Sequence, residues 1–307
     1  MRCVFAGTPE VAAISLAAVL ASRHEVVAVL TRPDAPAGRG RRTAASAVAI
    51  AAREAGIEVL QPASARAADL ARRLGEIAPD CAPIVAYGGL VPPHLLGLPR
   101  HGWVNLHFSL LPAWRGAAPV QHAVWHGDDI TGATTFALDE GMDTGPVYGT
   151  VTEAIRPTDT SGDLLARLSA IGAGLLVATL DAIEDGAVQA IPQVGDPSLA
   201  PKLSVDDGHV RWDLPAVGVD RQIRACTPAP GAWTVLRGER VRLQPVQIAT
   251  DTDPVPPGTV VVGRRDVLVG TATDPVRLGD VQAAGKRAMP AADWARGLRL
   301  DATEVLG

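Results

Sequence analysis

Apolar runs alternate with segments of helical spacing along residues 1–189. The apolar runs have the length of buried β-strands and are bounded by glycine, proline or polar residues; they cover residues 2–6, 25–31, 82–88 and 102–109. A further strand is expected within residues 132–145, and the segments of helical spacing cover residues 11–20, 44–56, 65–77 and 157–186. This alternation predicts a doubly wound α/β domain of Rossmann-like type, with a mostly parallel sheet.

The pattern changes after residue 189. Prolines and short polar runs replace the helical spacing, which predicts a linker over residues 190–206. Over residues 207–307 short apolar strands follow one another with turn residues between them. Their spacing of about ten residues is typical of small all-β domains. The sequence therefore predicts an α/β domain at residues 1–189 and a small β-barrel or sandwich at residues 207–307.

The composition is that of a globular protein, with 47% hydrophobic and 20% charged residues. No apolar run reaches the roughly 18 residues of a membrane span without a charge or a helix breaker, and the first residues lack a signal-peptide pattern. Cys3, Cys81 and Cys226 are odd in number and far apart, which argues against a disulfide framework. We therefore expect a cytoplasmic protein without membrane association, whose cysteines are reduced core residues.

The net charge of −5 is unevenly distributed. Residues 1–207 carry 15 basic and 22 acidic side chains, whereas residues 208–307 carry 13 basic and 11 acidic ones. A small positive excess in the C-terminal part is compatible with a polyanionic partner. Lys202 and Lys286 are the two lysines of the chain, which leaves few candidates for a Schiff-base or phosphate-loop lysine.

Three familiar motifs are incomplete. Gly7 follows the first strand alone, without the two further glycines of a dinucleotide-binding turn, so NAD is not expected. Residues 279–287 are one residue too long for a phosphate loop and end in an arginine in place of serine or threonine. His122 and His126 have the spacing of two zinc ligands, but Ala123 replaces the general-base glutamate of a metalloprotease. No metal ion is therefore expected.

Asn105 and His107 stand two residues apart in the apolar run at residues 102–109. Because side chains alternate along a strand, the amide and the imidazole share one face. Ligands of doubly wound sheets bind at the carboxyl ends of the strands, which is where these residues are expected to lie. On this evidence alone they are either a structural pair or a catalytic pair.

Asp143 is the candidate for a third residue beside Asn105 and His107. It lies between glycines in GMDTG, residues 141–145, and flanking glycines allow a loop to turn a carboxylate inward; a solvated acidic loop is the alternative. An amide, an imidazole and a carboxylate without a serine or cysteine nucleophile suit direct acyl transfer. Asn105 would then stabilise the developing oxyanion, while His107 and Asp143 would handle the proton of the attacking amine.

Several motifs together resemble the N10-formyltetrahydrofolate-dependent formyltransferase family. They are FAGTPE at 5–10, TRPDAPAGRGRR at 31–42, VAYGGLVP at 85–92, NLHFSLLP at 105–112, WRGAAPVQ at 114–121, GMDTG at 141–145 and AGKRAMPAADW at 284–294. Because they lie in both halves of the chain, the resemblance is greatest to the members with a C-terminal domain. Those members formylate the methionine carried by initiator tRNA.

The resemblance implies that Asn105, His107 and Asp143 are the catalytic residues and that 10-formyltetrahydrofolate is the formyl donor. The implied folate contacts, which lie at or just after the ends of two predicted strands, are Ser109, Leu110, Leu111, Pro112, Tyr87, Gly88 and Gly89. It also implies that the C-terminal domain is an OB-like barrel that binds tRNA, and that the protein is a monomer.

The implied tRNA contacts are Arg39, Arg41 and Arg42 in the loop at residues 32–45, and Lys286 in the C-terminal domain. Arginines between glycines suit phosphate contacts, although without the resemblance a solvated loop would be the favoured interpretation. A member of the same superfamily with another acceptor, either water or an amino-sugar nucleotide, is the alternative function. A non-catalytic RNA-binding protein is a further one, which the complete Asn105, His107 and Asp143 set disfavours.

Overall fold

The computed structural model describes residues 1–37, 42–64, 68–301 and 304–307. Its contacts divide the chain into two compact units. The first unit comprises Met1–Gly116, Ile130–Ala154 and Leu165–Leu199. The second unit comprises Ala117–Asp129, Ile155–Leu164 and Ala200–Gly307, so it includes two stretches that precede residue 190 in the chain.

The elements alternate between strand and helix up to residue 184. In chain order they are β1 (Arg2–Gly7), α1 (Glu10–Leu20), β2 (Glu25–Leu30), β3 (Ala35–Ala37), β4 (Arg42–Ala44), α2 (Ala47–Glu54), β5 (Glu58–Leu60), α3 (Ala68–Ile77), β6 (Ala82–Val85), α4 (Pro93–Leu96), β7 (Trp103–His107), α5 (Pro119–His126), β8 (Ile130–Ala137), β9 (Val147–Ala154) and α6 (Ser161–Glu184). The predicted strands and helices of this part are confirmed, with ends shifted by a few residues.

The first unit is built on a seven-stranded sheet with the order β5-β2-β1-β6-β7-β8-β9. The strands from β5 to β7 are parallel, whereas β8 and β9 are antiparallel to their neighbours. The chain first adds β2 and β5 on one side of β1, and then adds β6 and β7 on the other side of β1. The carboxyl ends of β1, β6 and β7 are therefore adjacent at the switch point, where such folds bind ligands.

Helix α6 packs against one face of this sheet. A Cβ placed on Gly172 would lie 3.2 Å from the methyl carbons of Leu106, so the glycine lets the helix approach β7 closely. The hydroxyl groups of Thr135 and Thr179 are 2.8 Å apart across the same contact. Because Leu106 faces α6, the alternate residues Asn105 and His107 face the other side of the sheet.

Among the described helices, α6 alone is long and apolar enough by length and composition to cross a bilayer. Of its apolar window, 44% is buried in the structure. Leu168, Leu176 and Leu180 are fully buried at the spacing of one helical face, which is the pattern of a core helix.

The second unit is mainly antiparallel. Its elements after residue 200 are a 3-10 turn (Asp206–Gly208), α7 (Ala216–Ala225), β10 (Trp233–Leu236), β11 (Glu239–Leu243), β12 (Gln247–Ile248), β13 (Val260–Val262), β14 (Val267–Val269), β15 (Val276–Arg277), β16 (Asp280–Ala283), β17 (Met289–Pro290) and α8 (Ala291–Leu298). They form two four-stranded sheets, ordered β10-β11-β16-β17 and β12-β15-β14-β13, around one core of valines, leucines and tryptophans. The short strands were predicted and the two helices were not; closure into a barrel stays a prediction.

The three cysteines are free and fully buried, as expected for core residues. Burial raises the pKa of the Cys3 and Cys226 thiols to about 12 and raises that of Cys81 further. A thiol with so high a pKa is protonated at neutral pH and is not a nucleophile.

Candidate active site

Asn105 and His107 lie at the carboxyl end of β7, on the sheet face opposite α6. Asn105 is half-buried, whereas the His107 residue is only 6% exposed. Their β8 partners are Phe136 and Thr134, and the Phe136 ring meets the imidazole edge-on at 6.4 Å. The amide and the imidazole are therefore neighbours on one face, as the strand pattern predicted.

The partners of His107 determine where its proton is. The Nε2 atom lies 2.9 Å from the main-chain oxygen of Trp114. A carbonyl oxygen accepts only, so Nε2 carries a hydrogen and donates it. The Nδ1 atom lies 3.6 Å from Oδ2 of Asp143, beyond hydrogen-bond length, and the two groups attract as an ion pair once the ring is protonated. In the neutral ring, the free lone pair therefore belongs to Nδ1 and points towards the carboxylate.

Burial lowers the pKa of the His107 imidazole, whereas the Asp143 carboxylate and the Trp114 carbonyl act in the opposite direction. The ring is therefore neutral at neutral pH and able to accept a proton at Nδ1. The resulting imidazolium would have a donor aimed at each partner, one at a carbonyl and one at a carboxylate. This is the arrangement of a general base that can return its proton.

Both partners of His107 have unusual main-chain conformations. Asp143 has a φ of 52° and Trp114 a φ of 59°, in the left-handed region that residues with a Cβ rarely adopt. Such conformations cost about 1–3 kcal/mol each and persist where surrounding contacts hold them. The contacts that hold them here come from a stretch that the sequence did not mark as functional.

That stretch comprises residues 191–199 and is called the return segment below. It is anchored by Ile191, which exchanges main-chain hydrogen bonds of 2.7 and 2.9 Å with Val147 of β9. Gln193 Nε2 donates to the main-chain oxygens of Asp143 and Gly145, both at 2.8 Å. Ser198 Oγ accepts a hydrogen bond of 2.8 Å from the main-chain nitrogen of Trp114. The return segment thus holds both strained partners of His107.

One further contact fixes the carboxylate of Asp143, and another orients Gln193. Oδ2 accepts a hydrogen bond of 2.8 Å from the main-chain nitrogen of Gly116. Arg115 donates to Oε1 of Gln193 through Nε and Nη2, at 3.1 and 2.7 Å, and so orients the Gln193 amide. Gly145 is required by space as well, because an added Cβ would lie 1.7 Å from the Ala137 carbonyl oxygen.

The predicted folate contacts after β7 form a compact turn. Ser109 is fully buried, and its hydroxyl donates to the Ala113 oxygen at 2.5 Å. The Thr134 hydroxyl donates to the Ser109 oxygen at 2.7 Å, which ties the turn to β8. Leu110, Leu111 and Pro112 are half-buried. The turn leaves apolar surface partly open beside His107, and its role in folate binding stays a prediction.

The predicted contacts after β6 differ among themselves. The Tyr87 residue is 4% exposed and packs in the core of the sheet, so it offers little surface to a ligand, and its contact with folate stays a prediction. Gly88 and Gly89 are exposed, and Gly88 has a φ of 76°. Arg32 Nη1 donates to the Gly88 oxygen at 2.7 Å, and the Thr8 hydroxyl donates to the Tyr87 oxygen at 2.7 Å. The loops after β1, β2 and β6 are therefore joined near the switch point.

The predicted tRNA contacts belong to the loop at residues 32–45 and to the C-terminal part of the chain. Arg39 and Arg41 lie outside the described residues, and Arg42 is described as the first residue of β4 without its side chain. Lys286 is exposed in the turn between β16 and β17 of the second unit. Its main-chain nitrogen donates to Ala283, as in a tight turn.

Among the described residues, one group has the geometry of a metal site: His24, Asp181 and Glu184, whose ligand atoms lie within 4.8 Å of one another. Two cations already occupy this group. The N-terminal ammonium is 2.6 Å from Glu184, and Arg23 Nε is 2.5 Å from Asp181. Burial lowers the pKa of His24. The two carboxylates of the group are thus paired with cations of the chain itself.

His122 and His126 stack with ring centroids 5.7 Å apart. A ring nitrogen of each contacts a main-chain oxygen: His122 Nε2 that of Pro201 at 3.0 Å, and His126 Nδ1 that of His122 at 2.9 Å. A ring nitrogen next to a carbonyl oxygen carries a hydrogen and donates it, while the other ring nitrogen keeps its lone pair in the neutral ring. The two histidines thus act as helix and loop hydrogen-bond donors.

Both parts of the chain match known protein families. Residues 1–180 match the family described as formyl transferase, and residues 202–299 match the family described as formyl transferase, C-terminal domain. The chain is 64% identical to the methionyl-tRNA formyltransferase of Salinispora arenicola, with 100% of both chains covered. It is 64% identical to the methionyl-tRNA formyltransferase of Thermobifida fusca, with 100% of this chain and 99% of the relative covered.

Among solved structures, an N-formyltransferase from Helicobacter canadensis, in complex with folinic acid and dTDP-3-aminofucose, has a similar fold. Its TM-score is 0.68 at 16% identity, with 92% of this chain and 98% of that chain covered. At this identity the likeness concerns the fold.

Proposed function

This chain belongs to the formyl transferase family, and we propose that it transfers the formyl group of 10-formyltetrahydrofolate to the α-amine of methionyl initiator tRNA. Full-length relatives at 64% identity carry the name of this activity, which supports the acceptor. The observation that supports the chemistry most is the His107 ring, with Nε2 bonded to Trp114 and Nδ1 3.6 Å from Asp143.

The reaction forms a bond between the methionine nitrogen and the formyl carbon, and it breaks the bond from that carbon to N10 of the folate. The amine loses one proton and N10 gains one. In our proposal His107 Nδ1 accepts the amine proton and returns it to N10, while Asp143 stabilises the imidazolium between the two transfers. General acid–base help of this kind contributes about 10² to 10⁴ to a rate.

The tetrahedral intermediate also carries a negative oxygen. Asn105 lies two residues before His107 on the same face of β7, so its side-chain amide is the donor we assign to that oxygen. Loss of one such donor costs about 10² to 10³ in kcat in related chemistry. The turn from Ser109 to Pro112 would hold the folate, with its half-buried apolar side chains against the ring system.

We also propose that the protein is a monomer and needs no metal ion. It would act in the cytoplasm, where initiator tRNA is charged. The loop at residues 32–45 and Lys286 are assigned to the tRNA. Arg39 is the side chain of that loop to test: Arg39→Ala is expected to slow formylation of the charged tRNA far more than it weakens folate binding, and equal losses would count against the assignment.

The deciding experiment offers labelled 10-formyltetrahydrofolate with several acceptors in parallel. These are methionyl initiator tRNA, the same tRNA uncharged, an amino-sugar nucleotide, and buffer alone. We expect label in the charged tRNA and in none of the other samples. Release of labelled formate in buffer would favour a hydrolase, and label in the amino sugar would favour a sugar formyltransferase.

A further inference from the structure

The tautomer of neutral His107 depends on a competition between two hydrogen-bond acceptors. Nε2 lies 2.9 Å from the Trp114 oxygen, and Nδ1 lies 3.6 Å from the Asp143 carboxylate. A carboxylate is ordinarily the stronger acceptor, because hydrogen bonds to a charged group are about twice as strong as neutral ones. The hydrogen therefore stays on Nε2 only while the Trp114 oxygen is held within hydrogen-bond distance. The contacts that hold this oxygen decide which ring nitrogen keeps the lone pair.

Trp114 stands between two peptide groups, and its φ of 59° sets their relative orientation. Residues with a Cβ rarely adopt this left-handed conformation, so surrounding contacts must hold it. In the peptide group before the Trp114 Cα, the Ala113 oxygen accepts a hydrogen bond of 2.5 Å from the Ser109 hydroxyl. The nitrogen of the same group, that of Trp114, donates to Ser198 Oγ at 2.8 Å. A serine on each side therefore fixes this peptide group.

Ser198 holds the turn around Trp114 with its main chain as well. Its nitrogen donates to the Pro112 oxygen at 3.3 Å, and its oxygen accepts from the Arg115 nitrogen at 2.9 Å. The Arg115 nitrogen belongs to the same peptide group as the oxygen that accepts from His107. Because hydrogen bonds in a chain polarise one another, the bond to Ser198 makes the Trp114 oxygen a better acceptor. Of the three contacts, the one through the hydroxyl is the contact that a side-chain substitution removes.

We propose that Ser198 is a positioning residue whose hydroxyl, acting through the main chain of Trp114, keeps the hydrogen of neutral His107 on Nε2. The inference rests on the proposed function for the reaction that this tautomer serves. Without the hydroxyl, the Trp114 N–H loses this acceptor, and the left-handed conformation loses a contact that holds it. The Trp114 oxygen then moves away from Nε2, and the ring hydrogen moves to Nδ1, on the side of Asp143. Nδ1 then lacks the lone pair that accepts the amine proton in our proposal.

Ser198→Thr and Ser198→Val are the test pair, because the two new side chains have the same shape and differ in the hydroxyl group. Nitrogen-15 NMR of the free protein at pH 7 measures the tautomer without any substrate. We expect wild type and Ser198→Thr to keep the hydrogen on Nε2. In Ser198→Val the ratio of Nδ1–H to Nε2–H should rise about 5- to 150-fold, the factor expected when a donor loses its acceptor. Ser198→Ala, which removes only the hydroxyl, should change the ratio in the same direction.

Formylation kinetics on the same variants link the tautomer to the reaction. The kcat of Ser198→Val should fall in proportion to the fraction of His107 with its hydrogen on Nε2, as measured by NMR. The KM values for folate and tRNA should change by less than about twofold, because the Ser198 side chain is assigned to neither ligand. Ser198→Thr should keep the kcat of wild type.

Ser22→Val is the matched control, since Ser22 is a half-buried serine of the same unit whose hydroxyl oxygen accepts a hydrogen bond of 3.2 Å from the His24 main-chain nitrogen. It should leave both the His107 tautomer and kcat as in wild type. Equal tautomers in Ser198→Thr, Ser198→Val and Ser198→Ala would overturn the inference. A wild-type protein that does not formylate methionyl initiator tRNA would refute the proposed function, while the NMR comparison would still decide the role of Ser198.

Discussion

Gln193 offers the sharpest test of how the site is held together. Its side-chain amide donates two hydrogen bonds of 2.8 Å to the main chain of Asp143 and Gly145. Each such bond contributes about 0.5–1.5 kcal/mol, so Gln193→Leu removes about 1–3 kcal/mol of support. The left-handed conformation of Asp143 costs an amount of the same size, so the carboxylate is expected to leave its position beside His107.

That loss should appear in the chemical step. If the transition state loses about 1–3 kcal/mol of stabilisation, kcat falls about 5- to 150-fold. The KM values for folate and tRNA should change by less than about twofold, because Gln193 reaches Asp143 through the main chain and is not assigned to either ligand. Steady-state kinetics with labelled formyl donor at saturating folate would measure both quantities.

Two further variants distinguish the loss of the two hydrogen-bond donors from a general effect of substitution in this stretch. Gln193→Glu keeps the length of the side chain and an acceptor for Arg115, but it removes the two donors, so it should be at least as slow as Gln193→Leu. Gln189→Leu is the control, because Gln189 is an exposed glutamine just before the return segment. A Gln193→Leu enzyme with the kcat of wild type, or a loss confined to KM, would refute the positioning role.

Three other properties can be measured on the free protein. Nitrogen-15 NMR at pH 7 should find His107 neutral with its hydrogen on Nε2, and a protonated ring or an Nδ1–H tautomer would contradict the site geometry. Burial lowers the pKa of His24 and His107 in the folded state, so on acidification the unfolded chain binds protons before the folded one does. The denaturation midpoint should therefore fall as the pH drops below about 6.5. A midpoint that does not change with pH in this range would contradict the lowered pKa values. Iodoacetamide should leave Cys3, Cys81 and Cys226 unmodified until the protein unfolds, and rapid native labelling would show exposed thiols.

The sequence was sufficient for the part of the site that depends on local periodicity. Asn105 and His107 share a face because strand side chains alternate, and their place at a carboxyl end follows from the parallel sheet. The position of Asp143 could not be predicted in this way, because the loop from 138 to 146 has no periodicity that indicates the direction of a side chain. The Trp114 oxygen that fixes the tautomer is a main-chain atom, and no side-chain pattern marks it.

The return segment is the clearest omission. Gln193 lies 50 residues after Asp143, in a stretch of prolines and polar residues that predicted only a linker. Its contribution depends on the Val147–Ile191 bridge, a long-range pairing that single-sequence patterns do not contain. A lone glutamine in a polar stretch matches no motif, so the role of Gln193 is seen only in the three-dimensional structure.

The direction of the last strands could have been predicted. β8 ends at Ala137 and β9 begins at Val147, and the nine residues between them are too few for a helical crossover. An antiparallel pair was therefore the better expectation for this edge. β9 itself was missed because its side chains are half-buried or exposed and form no apolar run. The helices α7 and α8 were missed for their short length among proline-rich stretches.

The central claim is that His107 carries the proton during formyl transfer. It is tested most directly by the single-turnover rate of formyl transfer to methionyl initiator tRNA by His107→Asn, with folate affinity measured on the same protein. His94→Asn serves as the control, because His94 is an exposed histidine of the same unit. We predict a rate at least about 10² lower for His107→Asn, with an unchanged folate Kd and a normal rate for the control. A rate within twofold of wild type, or a defect in folate affinity alone, would contradict the account.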